Sequence, residues 1–146
     1  MTPTTGLLLA VLASVLWGLT YCLDERVLES LSVYKLYFLH CCAGAIVSAA
    51  ILVAQGHAPA TLFRIDTTKV SLPLFAVTLV TATAAALSIL GSIQALGASK
   101  SAVLEISYPL FVALFSWGFF GGHLQAPVVI GGACIFVGAA IISMAK

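Results

Sequence analysis

Glu105 and Pro109 stand four residues apart in an apolar run, Ser101–Gly122, that holds no other charge. A carboxylate in hydrocarbon costs about 2.5–3.5 kcal/mol on insertion scales. Proline has no N–H, so in a helix the carbonyl of Glu105 loses its ordinary donor. One level of the run thus carries an ionisable side chain and a free backbone acceptor. Such groups face a bundle interior or a wet cavity in preference to lipid. The chemistry open to them is proton exchange and the binding of a solute. Two plainer roles stay open for Glu105. It follows Lys100 by five residues, about 7.5 Å along a helix, which is close enough to snorkel to the headgroups. It can also bond a neighbouring helix and do no more.

Other side chains fit the same chemistry. Ser101 and Tyr108 lie at i−4 and i+3 from Glu105, on one face of a continuous helix, where they would bond to it or line its cavity. Trp17 and Tyr21 are one helical turn apart and would form an aromatic wall for an organic ligand. Packing for Tyr108 and interfacial anchoring for Tyr21 are the alternatives. His40 is the one titratable side chain well inside its apolar run, as a packing histidine or a proton relay. Asp24, Glu25, Glu29 and Gln94 stand at run edges and read as solvated or headgroup-facing.

Other chemistries find no foothold. The four cysteines, Cys22, Cys41, Cys42 and Cys134, form no CxxC pair. Helical neighbours diverge by about 100°, so His40-Cys41-Cys42 cannot converge on one metal ion. No Ser/His/Asp set, paired carboxylates at depth or phosphate-binding glycine loop is present. An enzyme is not expected, and no cofactor or metal is called for. A net charge of +1 suggests no nucleic-acid partner.

The elements that must position these residues are membrane helices. The chain is 62% hydrophobic and 8% charged, too little charge for a water-soluble surface. All charged residues except Glu105 fall between apolar runs or at the C-terminus. Five runs reach bilayer length, about 20 residues: Gly6–Leu23, Leu36–Ala54, Leu72–Ile93, Ser101–Gly121 and Pro127–Ala145. The first lacks a basic start and is too long for a cleaved signal segment. The expected fold is an all-α integral membrane protein of five transmembrane helices forming a single domain over residues 1–146. Its connections are short: Asp24–Tyr34, Gln55–Val70, Gln94–Lys100 and Gly122–Ala126. Function must then sit in the bundle or in a partner.

Small residues recur at helical spacing: Gly6, Ala10, Ser14 and Gly18; Ala84, Ser88 and Ser92; Gly118 and Gly122; Gly131 and Gly138. Such stripes let helix backbones approach in lipid, within one chain or between chains. With five spans, the N-terminal side carries Arg64 and Lys69, and the other side carries Arg26, Lys35, Lys100 and Lys146. That bias places the C-terminus inside only weakly, and insertion in either direction stays open.

The strings ASVLWGLTY and ALGASKSAVLEISYPLFVALFSWGFFGG, followed by VVIGGACIFVGAAII, resemble the EamA domain of the drug/metabolite transporter superfamily. The shared features are Trp17-Gly18, the small residues Ala98–Ala102, Pro109, Gly121-Gly122, and Gly131 with Gly138. They cover nearly the whole chain. Two positions depart from the family pattern. Gly122-His123 stands where a glutamate often follows the glycine, and Lys35 is the nearest basic residue to an arginine common near the second helix. Family transporters commonly join two five-helix repeats in opposite orientations, with substrate held between them.

The resemblance implies one five-helix half of an inverted-repeat transporter in a cell membrane, the bacterial inner membrane. It would work as an oligomer, beside a second copy or a paired five-helix chain, and move a small organic solute. Glu105 then supplies proton coupling. The substrate or proton pathway is expected at Glu105, Tyr108, Pro109, Ser101, Trp17, Tyr21 and His40. A lipid-linked sugar carrier is conceivable for so compact a bundle. The alternative from another class is a non-transporting accessory or stabilising subunit of a membrane complex.

Overall fold

The computed structural model describes residues 2–62, 64, 70–123 and 125–144. Its elements are α1 (Pro3–Leu28), α2 (Val33–Ala54), a 3-10 turn (Pro59–Thr61), α3 (Leu72–Leu96), α4 (Ala98–Glu105), α5 (Tyr108–Phe120) and α6 (Ala126–Met144). No strand occurs among the described residues. The helices α1, α2, α3 and the joined segment Ala98–Phe120 are each long and apolar enough to cross a membrane; α6 is a shorter apolar helix. The fold is that of an all-α, multi-pass membrane protein. Asp66, Lys69, Ala145 and Lys146 lie outside the described residues, and so do residues 63, 65, 67 and 68 of the 55–70 connection. The charge bias that sets orientation therefore rests on the sequence.

Polar groups on the helices are handled locally. The hydroxyls of Thr20, Ser48, Thr78 and Thr81 donate to carbonyls one turn back in their own helices. This satisfies each hydroxyl without a neighbouring helix, as an apolar surround requires. Ser32 caps α2 by accepting from the Lys35 amide.

Three boundaries differ from the sequence reading. The helix α1 runs past Leu23 and takes in Asp24, Glu25 and Arg26, so the first connection shrinks to a few residues. Glu and Arg are good helix formers, and a single Asp costs an established helix less than about 1 kcal/mol. The expected 94–100 connection contracts to Gly97 alone. The third difference is in the fourth span, which is two helices rather than one. Ile106 and Ser107 separate α4 from α5. The ring of Pro109 collides with the carbonyl four residues earlier, at Glu105, and disturbs the turn before it. The Ser107 hydroxyl donates to the Leu104 carbonyl at 2.8 Å, which satisfies one of the acceptors released at the end of α4.

The described chain divides into two compact units. One comprises Met1–Arg26 and Ser92–Lys146, and so holds most of α1, the end of α3, and α4, α5 and α6. Within it α6 packs on both α4 and α5. The two helices α5 and α6 approach tightly at Gly132, where an added Cβ would sit 3.2 Å from Leu110 side-chain atoms. An added Cβ would meet nothing at Gly131 or Gly138. The stripe expected from those two glycines is therefore displaced by one residue, which is about 100° around the helix. Buried residues of this unit include Tyr21, Asp24, Ile93, Ala98, Ser101 and Ala139. The other unit, Val27–Gly91, holds α2 and most of α3. In it the Tyr37 hydroxyl donates to Thr83 Oγ1 at 3.3 Å, joining α2 to α3.

Candidate functional site

The end of α4 and the last turns of α1 carry the polar cluster of the first unit. Glu105 is the final residue of α4. Its Oε2 accepts a hydrogen bond from the Tyr21 hydroxyl of α1. This joins residues 84 apart in sequence. The burial expected of Glu105 is not met within the chain: the residue is exposed. Only its bonded end is held against Tyr21, which is itself buried. Trp17 stands one turn before Tyr21, with ring centroids 5.9 Å apart and planes at 72°. That edge-to-face contact fixes both rings. Trp17 is otherwise exposed.

Tyr108 opens α5 and is exposed. The break at Ile106–Ser107 means that its spacing from Glu105 is not that of one continuous helix. Pro109 stands in the first turn of α5, where a missing N–H is tolerated. Its cost falls on α4, whose Glu105 carbonyl it cannot bond. Ser101 is 1% exposed and shares a 2.8 Å hydrogen bond with Ser92 at the end of α3. Its hydroxyl joins α4 to α3 and bonds Ser92, not Glu105, one turn on along the same helix. His40 belongs to the other unit, on an exposed face of α2.

Two residues that the sequence reading assigned to the headgroups are instead built into this unit. Asp24 is buried, 5% exposed, one turn beyond Tyr21 on α1. Both Asp24 and Glu105 lie within electrostatic reach of the Tyr21 hydroxyl. The Glu25 carboxylate accepts from the Ala98 amide at 3.2 Å, and so caps α4 from outside. A signal was available: Trp17, Tyr21, Asp24 and Leu28 recur at helical spacing on one face of α1. Reading the helix as ended at Leu23 hid it.

Among the described residues no three His, Cys, Asp or Glu side chains cluster to hold a metal ion. The four cysteines are free thiols. The arrangement offers a carboxylate, a tyrosine hydroxyl and two exposed aromatic faces, beside a carbonyl to which Pro109 cannot donate. Such a set can exchange a proton and hold a positively charged organic group.

The sequence model of the EamA-like transporter family aligns with residues 4–144. No curated protein and no solved structure matches the chain.

Proposed function

Because the chain belongs to the EamA-like transporter family, we propose that it moves a small organic solute across a membrane, with Glu105 as the group that solute and proton share. The observation that carries this reading is the hydrogen bond from Tyr21 of α1 to Glu105 of α4. It holds an ionisable carboxylate at a fixed place in an otherwise apolar segment, with part of its surface open.

The electrostatics favour a positively charged solute. The last carbonyls of a helix carry partial negative charge. At the end of α4 they coincide with the Glu105 carboxylate, and one of them, the Glu105 carbonyl, gets no N–H from Pro109. Trp17 offers an aromatic face beside Tyr21, suited to an ammonium or alkylammonium group. When the carboxylate takes a proton, its charge is lost and the cation is released. When the proton leaves on the other side, the site can bind again. Proton and solute thus compete for one group.

The working unit is an oligomer of two five-helix halves, in a bacterial inner membrane. Inverted repeats place substrate between two halves near the midplane. Glu105, Tyr108 and Trp17 are exposed within the chain, and a second half would close the cavity over them. A second copy in the opposite orientation, or a separate five-helix chain, would supply it.

The test is uptake and efflux of a panel of metabolites in vesicles containing the purified protein, wild type against Glu105→Gln. Glutamine keeps the shape and the hydrogen bond but cannot titrate. The variant should accumulate normally and lose pH-dependent transport. Wild-type transport with unchanged pH dependence in Glu105→Gln would refute the mechanism.

A further inference from the structure

Beside its packing on α6, α4, a helix of eight residues, is held by hydrogen bonds along its length. At its end, Glu105 accepts from Tyr21. In its middle, Ser101 bonds Ser92. At its start, the amide of Ala98 donates to Glu25 Oε2 at 3.2 Å. The first and third both come from α1, where Tyr21 and Glu25 are one turn apart. Between them they fix α4 against α1 at both of its ends.

The start of α4 is built around the Glu25 carboxylate. Gly97, the residue before the helix, has φ 83° and ψ 162°. This region is open essentially to glycine alone. A Cβ at Gly97 would also lie 3.0 Å from Glu25 Oε1. The backbone at 97 therefore makes room for the carboxylate and turns the Ala98 amide toward it. The N-terminal amides of a helix lack partners of their own and favour an anion. Here a side chain of the same unit provides it.

We propose that Glu25 is a positioning residue for Glu105: its carboxylate pins the start of α4, and this sets the level at which Glu105 meets Tyr21. The proposal rests on the reading of Glu105 as the transport carboxylate. It gives Glu25 a role that its place near the end of α1 does not suggest. An eight-residue helix spans about 12 Å. It is short enough to move as a rigid rod, so slackness at Ala98 reaches Glu105.

The probe is the Tyr21 hydroxyl itself. Infrared spectra of the full chain in lipid vesicles contain a tyrosine ring C–O band sensitive to hydrogen bonding. The Tyr21 contribution is identified by its loss in Tyr21→Phe, and its unbonded position is given by Glu105→Ala. Glu25→Ala should move the band toward that unbonded position. Glu25→Gln, whose amide oxygen can still accept from Ala98, should leave it at the wild-type position. Gly97→Ala keeps every charge while crowding Glu25, and should move the band as Glu25→Ala does. It serves in place of Glu25→Ala if that variant fails to accumulate. In transport, Glu25→Ala should lower the rate several-fold in the wild-type background and little further in Tyr21→Phe, because both act through one contact.

An unmoved Tyr21 band in Glu25→Ala, or in Gly97→Ala, overturns the proposal. So does an equal fold-loss of transport in both backgrounds. The transport reading fails separately, when Glu105→Gln transports with wild-type pH dependence whatever the Tyr21 band does.

Discussion

One hydrogen bond joins Tyr21 and Glu105, the two residues on which the proposed site rests. Tyr21→Phe removes the donor and keeps the ring against Trp17. Bonds to charged partners contribute about 1.5–3 kcal/mol, and Glu105 is exposed, so the lower part of that range applies. Thermal unfolding in detergent should show a modest loss of stability. Vesicle transport should show a larger loss, several-fold, because the carboxylate is no longer held in place. A Tyr21→Phe protein that is less stable yet transports at the wild-type rate would reduce the bond to a structural tie. Glu105→Leu adds a second comparison. If the carboxyl serves assembly alone, leucine should impair accumulation while glutamine is tolerated. If it serves transport, both should lose pH-dependent uptake.

Among the elements, the α4–α5 break and the α5–α6 contact make opposite predictions about stability. Pro109→Ala restores an N–H that can reach the Glu105 carbonyl. Proline inside a helix costs about 3 kcal/mol, although less where it sits in a first turn. The variant should therefore be at least as stable as wild type, with a protected amide at 109 in hydrogen exchange. Straightening the segment should displace Tyr108 relative to Glu105 and reduce transport. Gly132→Val should do the reverse. Its side chain would press on Leu110, where the gap is 3.2 Å, and overpacking costs typically about 1–3 kcal/mol. Gly131→Val, facing open space, should unfold within a few tenths of a kcal/mol of wild type. Equal unfolding of the two variants would mean that α5 and α6 do not approach at Gly132.

At the scale of the whole molecule, a chain that crosses five times, with α6 as the fifth span, would have its two ends on opposite sides of the membrane. Reporter fusions after Gln55 and at Lys146 should report opposite sides within any one molecule; the same side for both would remove a span. Chemical crosslinking in native membranes should trap dimers or a pair with another chain. Full-rate transport by a monomer in lipid would remove the need for a second half. Two or three added lysines in the 55–70 connection should fix orientation if insertion is dual. Uniform orientation before that change excludes an antiparallel pair of identical chains and leaves a pair with a different chain.

The helical class, the membrane setting and the family were legible in the residues. Apolar runs of bilayer length and the order of Trp17-Gly18, Pro109 and Gly121-Gly122 are properties of sequence, because hydrocarbon allows few backbone solutions. Glu105 stood out for the same reason, as one charge in a run that should have none. Its partner did not stand out, since nothing local links Tyr21 to a residue 84 positions away. Where α1 ends, whether the fourth span is one helix or two, and which glycine of α6 meets α5 also required the tertiary structure. So did the burial of Asp24 and the capping of α4 by Glu25. Hydropathy marks charged residues as edges. Only packing decides whether such an edge faces headgroups or closes over the start of another helix.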